Sequence, residues 1–319
     1  QLGIDARLAS WITGDSASVF PMQADLHAAL RPIPHLTLFT TAGVLAESRG
    51  FGATAERETV FAVKDAWAMA HQLPYMGYVR AGRFVPAFGT RTEDHTSPIR
   101  RDFGLDLSSR FARVTGVEVG AAPNYPILQA SLFRPNAAEG FVSGDPLNQR
   151  DPPTWGVGGW GGALHAGWRD LIWQVGASGM LRRRALRDGG DTEDLSLQGG
   201  LNLAAAPGEL PLTLLGELAV GQRRRPLSGN PALHSAAMVE LGWLLNNGLN
   251  LRAKYDFSDA DTAVSQDHFH RVGLGFDLHP LPNLTFTAQL RLGLAPAAEG
   301  LSDDAFEGSD AILILRGWL

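Results

Sequence analysis

Residues Leu249 to Phe257 read Leu-Asn-Leu-Arg-Ala-Lys-Tyr-Asp-Phe, apolar at every odd number and polar at every even one. A period of two belongs to a β-strand with one apolar face and one wet face. The pattern recurs in Leu284–Leu294, where Leu284, Phe286, Ala288, Leu290, Leu292 and Leu294 oppose Thr285, Thr287, Gln289, Arg291 and Gly293. In Leu195–Leu203 the leucines oppose Ser196, Gln198 and Asn202. In Ala236–Leu245, Val239, Leu241, Trp243 and Leu245 oppose Met238, Glu240 and Gly242. The first half of the chain is noisier, with mixed faces near 58–71 and 108–121. The pattern predicts sixteen strands, at 1–12, 17–30, 36–48, 58–71, 77–88, 108–121, 126–134, 156–166, 171–182, 194–204, 211–222, 236–245, 249–258, 267–278, 284–295 and 308–319.

A soluble sandwich rarely keeps leucine-rich faces on so many consecutive strands, and a propeller needs a blade repeat that this chain lacks. Alternation that persists end to end predicts an all-β fold, a transmembrane antiparallel β-barrel of about sixteen strands formed by 1–319 as one unit. Its apolar faces meet lipid and its polar faces meet a lumen. Seven connections are short, at Pro32–Pro34, Leu73-Pro74, Pro123-Asn124, Trp168-Arg169, Pro207-Gly208, Asn246–Gly248 and Pro280–Pro282. Most of the others are longer and more polar. Short periplasmic turns and longer extracellular loops are the arrangement of bacterial outer-membrane barrels, and an even strand number puts both termini on the periplasmic side. Trp168, Trp318, Tyr75, Tyr78 and Tyr125 fall near the periplasmic ends, where aromatic side chains mark the lipid interface. Trp67 and Trp173 fall closer to mid-depth.

Composition changes this picture little. The 319 residues are 45% hydrophobic with a mean hydropathy of −0.05. Alternating faces cancel in such an average. No run of about 18 apolar residues exists to form a membrane helix. Gln1 lies within a strand-like pattern, which reads as a mature or trimmed chain. The absence of cysteine excludes a disulfide, a thiolate metal site and covalent c-type haem attachment within the chain. The net charge of −6 argues against nucleic-acid binding. No cofactor is implied.

The third long connection, 89–107, carries Arg91, Arg100 and Arg101 with Glu93, Asp94, Asp102 and Asp106. By face, Lys64, Arg83, Arg134, Arg252, Lys254, Arg271 and Arg291 are expected inside the barrel. Asp25, Glu118, Glu217, Glu240, Asp256 and Asp277 are expected there too. Rings of one sign set channel selectivity, and neither sign dominates here. Two arrangements remain open for the connection. In one, Arg83, Arg91, Arg100 and Arg101 face Glu93, Asp94 and Asp102 across a constriction. In the other, these charges pair locally and pin the loop. Arginine triplets at Arg182–Arg184 and Arg223–Arg225 stand where strands enter loops. There Arg183, Arg184, Arg224 and Arg225 are either lipopolysaccharide contacts, since guanidinium pairs well with phosphate, or solvated loop charge.

In strand number, length and position of the third loop, the chain resembles sixteen-stranded general diffusion porins. In that family the third loop folds into the lumen and narrows it. A second, local resemblance lies in Val79–Gly89, whose Gly82-Arg83-Phe84 followed by Pro86, Phe88 and Gly89 looks like a strand of the phosphate-selective porin family. That family's anion selectivity relies on luminal arginines and a lysine ladder. This chain has only Lys64 and Lys254, so the resemblance implies the fold and not phosphate specificity.

Motifs of other chemistries are weak. His268 and His270 share a strand face, but Asp267 points the other way and no third metal ligand is evident. Gly156–Gly162 precedes no helix that could hold a phosphate. Asp94, His95 and Ser97 share one loop without a catalytic geometry, so no enzyme is expected. The expectation is an outer-membrane channel for passive diffusion of small hydrophilic solutes or ions, with a homotrimer as one expected assembly. The alternative is a barrel that sleeves a periplasmic or extracellular partner such as a multihaem cytochrome. Apolar residues on inward positions, Met180, Leu215, Met238 and Ile314, would suit such a filled lumen.

Overall fold

The computed structural model describes residues 1–14, 16–49, 56–90, 94, 97–103, 105, 112–134, 155–186, 193–206, 208, 210–224, 231–259, 261–264, 268–294 and 308–319. Sixteen strands lie among the described residues. The first eight are β1 (Leu2–Thr13), β2 (Ala17–Ile33), β3 (Leu36–Arg49), β4 (Glu56–Leu73), β5 (Gly77–Phe84), β6 (Val114–Ala121), β7 (Pro126–Arg134) and β8 (Trp155–Arg169). The others are β9 (Trp173–Leu186), β10 (Glu193–Ala205), β11 (Leu212–Arg224), β12 (Pro231–Asn246), β13 (Leu249–Asp259), β14 (His268–Leu281), β15 (Leu284–Leu294) and β16 (Gly308–Trp318). One short helix, α1 (Pro98–Asp102), lies between β5 and β6.

Each strand pairs antiparallel with its chain neighbours, and β1 pairs with β16 from Asp5↔Trp318 to Thr13↔Asp310. The sheet is therefore a closed barrel with no free edge. Lipid offers backbone groups no hydrogen bonds, so closure is what lets a sheet cross it. Both termini lie at the short-turn end. The Gln1 amine donates to the Ala29 carbonyl at 2.9 Å, and Leu319 exchanges backbone bonds with Ile4 at 3.0 Å.

The two faces differ as the alternation predicts. Leu132 is 72% exposed, Leu290 69% and Leu164 58%, whereas Arg291 is 2% exposed and Lys64 1%. Buried charge alternating with exposed leucine inverts the soluble pattern. It suits a barrel whose outside is lipid and whose inside is packed and polar.

Strand limits depart from the sequence expectation most at β5, β6, β9 and β12, with β9 running on to Leu186 rather than 182. β5 stops at Phe84 rather than continuing to 88. Pro86 has no N–H for a ladder, and Phe84, Ala87 and Phe88 bury themselves inside the barrel instead. β6 begins at Val114 rather than 108, part of the expected stretch lying outside the described residues. β12 begins at Pro231 rather than 236, because pairing with β11 runs out to Arg224↔Pro231. Aromatic placement also differs. Tyr78 and Trp67 point into the lumen, where the Tyr78 hydroxyl donates to Glu118 at 2.7 Å and Trp67 stacks on Phe39 at 4.9 Å. Trp173 opens β9 at the short-turn end.

This exterior makes a depth test simple. Leu164→Arg should destabilise the barrel by about 2–4 kcal/mol in urea unfolding from lipid vesicles, the cost of a cation facing mid-bilayer lipid. A cost near zero would mean that this face does not meet lipid.

Candidate functional site: the barrel interior

The interior is built from the inward half of each alternating strand and from the chain between β5 and β6. After Phe84 this chain leaves the wall. Gly89 has φ +58, a left-handed conformation natural to glycine. A Cβ there would also run into the Glu217 carboxylate. The Gly89 amide donates to Ser178 Oγ of β9 at 2.9 Å.

Beyond it, α1 packs against β11, β12 and β13. Ser97 donates to Asp256 of β13 at 3.1 Å. Arg100 bonds Glu217 of β11, and Asp94 accepts from Lys254 of β13. Arg182 of β9 donates to the Phe103 carbonyl at 3.5 Å. Ser97, Arg100, Phe103 and Leu105 are each at most 2% exposed.

Apolar packing reinforces these bonds. Phe84, Phe88, Ile99, Phe103 and Leu105 form one buried cluster with inward residues of the wall, among them Val114, Phe133, Met180, Ala219 and Met238. Leu215 and Trp67 pack at its margin. The Phe103 ring lies 4.7 Å from His234. This side of the interior is thus a small hydrophobic core of the chain's own making.

The remaining inner wall is ionic. Lys64 bonds Asp25 at 2.7 Å, and Arg80 bonds Glu118 at 2.7 Å. Arg252 reaches Glu240 at 2.6 Å and Asp277 at 3.4 Å. Asp256 takes Arg271 at 2.8 Å and Lys254 at 3.1 Å. Arg291 holds Asp310, which also accepts from Trp11 Nε1 at 2.9 Å. Asp5 joins Arg7 at 2.8 Å to Arg316 at 2.7 Å across the closing seam. Such pairs add little net stability once desolvation is counted, but removing one partner strands the other.

The expected site residues fall into four groups. Lys64, Glu118, Glu217, Glu240, Arg252, Lys254, Arg271 and Arg291 line the interior. Asp94 and Arg100 bond partners on the wall, Lys254 and Glu217. Arg101 and Asp102 belong to α1 but their side chains lie outside the described residues, as do Arg91, Glu93 and Asp106 altogether. Arg83 is a correction: it pairs with Ala66 and Thr115 on the outward face. Arg80, three residues earlier, takes the luminal place. Arg134, opposite Thr115, is likewise outward.

Of the proposed lipid contacts, Arg183 faces outward opposite Trp160. Arg184 and Arg224 lie on β9 and β11, and Arg225 lies outside the described residues. Asp5, Arg7, Arg80, Asp310 and Arg316 were missed by the sequence reading. Only Asp5 and Arg7 sit in a segment whose alternation, Ile4 to Ala9, could have flagged them.

The docking of α1 gives a direct test. Glu217→Ala leaves the Arg100 guanidinium buried without its carboxylate. Local opening of 97–103 should become easier by about 3 kcal/mol, read as faster amide hydrogen exchange there. Unchanged exchange would show that the pair does not hold the segment.

No family model matches the chain, and no curated protein matches it. Solved structures do. An anion-selective porin from Comamonas acidovorans is similar at a TM-score of 0.67 and 14% identity, covering 100% of this chain and 98% of that one. The trimer form of in-vitro folded OmpT from Vibrio cholerae gives 0.64 and 12%, with 100% and 98% covered. The outer-membrane channel DcaP of Acinetobacter baumannii gives 0.65 and 10%, with 100% and 96% covered. Likeness along the whole of both chains shows that this protein has the sixteen-stranded barrel fold of bacterial outer-membrane porins.

Proposed function

We propose that this protein is an outer-membrane channel through which small hydrophilic solutes or ions diffuse passively, with the chain between β5 and β6 narrowing its lumen. The observation that carries the reading is the docking of Asp94, residues 97–103 and Leu105 onto the inner faces of β9 and β11–β13 inside a closed barrel. The described residues of this segment take up cross-section on the side of β9 and β11–β13. They leave the ionic wall of β13–β16 and β1–β4 as the solute path. Polar side chains along such a path replace part of the hydration that a solute loses on entering.

No enzymatic step belongs to this reading. Asp94 is engaged with Lys254 and Ser97 with Asp256, so neither is arranged as a nucleophile and its base. Three of the four apolar inward residues that would suit a sleeve for a partner, all but Ile314, pack in or beside the chain's own cluster. Met180 and Met238 belong to the cluster with the chain's own Phe88 and Phe103. Assembly as a homotrimer is supported by the trimer form of the similarly folded OmpT.

Conductance in a planar bilayer tests the reading. Purified protein should give stable ohmic steps. Its reversal potential in a salt gradient should be small, because luminal bases and acids pair locally and their fields cancel beyond about 10 Å in physiological salt. Arg252→Gln leaves Glu240 and Asp277 without their shared cation, and should shift the reversal potential toward cations. Folded, inserted protein that passes no current would overturn the proposal.

A further inference from the structure

Strand register gathers on the outer wall three arginines that are far apart in sequence. Arg83 of β5 pairs with Thr115 of β6, and Thr115 pairs with Arg134 of β7. Pairing of β7 with β8 runs to Phe133↔Gly161, and its next step sets Arg134 beside Trp160. Trp160 pairs with Arg183 of β9. The outward row is therefore Arg83, Thr115, Arg134, Trp160, Arg183, across five adjacent strands. Its face is fixed by its neighbours: Val79, Val117 and Leu132 stand on the same side and are 38%, 47% and 72% exposed.

The row marks a boundary. Below it the outward positions of these strands are apolar or small, down to Tyr125 stacked on Trp168 at 5.7 Å. Trp160 lies eight residues along β8 from Trp168. At about 3.3 Å per residue and a tilt of about 40°, that is about 20 Å of depth, close to the height of about 25 Å expected of an apolar belt. The arginines thus stand where the hydrocarbon of the leaflet on the long-loop side gives way to head groups. At that end of β13 and β14 the outward residues are Tyr255, Phe257 and His270, so the arginine row does not extend to those strands.

We propose that Arg83, Arg134 and Arg183 form a binding site for the phosphate groups of lipopolysaccharide, with Trp160 packed at the head-group boundary between the last two. The inference rests on reading the barrel as an outer-membrane protein. Guanidinium groups bind phosphate through paired, charge-assisted hydrogen bonds. Successive arginines of the row are two strands apart, about 10 Å at about 4.8 Å per strand. A head group bearing two phosphates engages two of them at once, whereas a phospholipid with one phosphate engages one. This favours lipopolysaccharide over the phospholipids around it.

The test is native mass spectrometry of the detergent-solubilised full chain, titrated with bisphosphorylated lipid A, monophosphorylated lipid A and inorganic phosphate. Wild-type protein should bind the bisphosphorylated lipid most tightly and inorganic phosphate weakly. The combined variant R83Q/R134Q/R183Q should bind it about a hundredfold more weakly, and R134Q alone, at an exposed strand end, about fivefold more weakly. Equal binding by wild type and both variants would overturn the site. So would equal affinity for lipid A and inorganic phosphate. A triple variant that loses only its oligomeric state would overturn it in favour of a contact between copies. Conductance is read separately: wild-type protein that binds lipid A but conducts nothing would refute the channel and leave this site standing.

Discussion

Closure of the sheet by β1 against β16 is the constraint on which everything else depends. A backbone N–H or C=O left unpaired in hydrocarbon costs several kcal/mol, so a sheet crosses a bilayer only if its first and last strands meet. Here they meet along nine residue pairs, from Asp5↔Trp318 to Thr13↔Asp310. The Asp5–Arg316 and Trp11–Asp310 bonds hold the same seam from the inside. Once the ring is closed, each strand has one face in lipid and one face in the lumen. The alternation of side chains then becomes an assignment to two solvents.

The interior answers that constraint in two ways. On the side of β9, β11, β12 and β13 it is filled by chain, because β5 breaks at Pro86 and the following residues bring Phe88, Ile99 and Phe103 inward. Apolar side chains there regain the burial that the lipid-facing wall cannot give them. On the side of β13–β16 and β1–β4 the interior is lined by charge, and among the described residues nearly every base has an acid within bonding distance. A buried charge without a partner is far more costly than a pair is beneficial. The near equality of acids and bases thus fits an interior that carries many charges and little net field.

The outer wall is simpler but not uniform. Below, an aromatic pair at Tyr125 and Trp168 marks one edge of the apolar belt. Above, the β5–β9 sector ends in arginines and the β13–β14 sector in Tyr255 and His270. Since β5 and β6 have eight residues each, the wall is lowest where the inner segment departs. The same early break that fills the lumen therefore also leaves Arg83 as the last outward position of β5.

Alternation alone determined the fold class, the number of strands, the short-turn end and most inward charges, because a period of two is local and survives in any register. Lys254, Asp256, Arg271 and Arg291 were legible for that reason. Which charges bond one another was not, since Asp310 reaches Arg291, and Asp5 reaches Arg316, only through strand pairing. Arg83 and Arg134 were misplaced because Phe84 and Phe133 beside them are apolar yet inward, which reverses the apparent phase, and a one-residue error in phase exchanges lumen for lipid. Tertiary structure also decided that Arg100 pairs with Glu217 and that Phe88 and Phe103 pack against Met180 and Met238. A loop's sequence carries no record of the wall it will touch, because such contacts depend on closing the ring first.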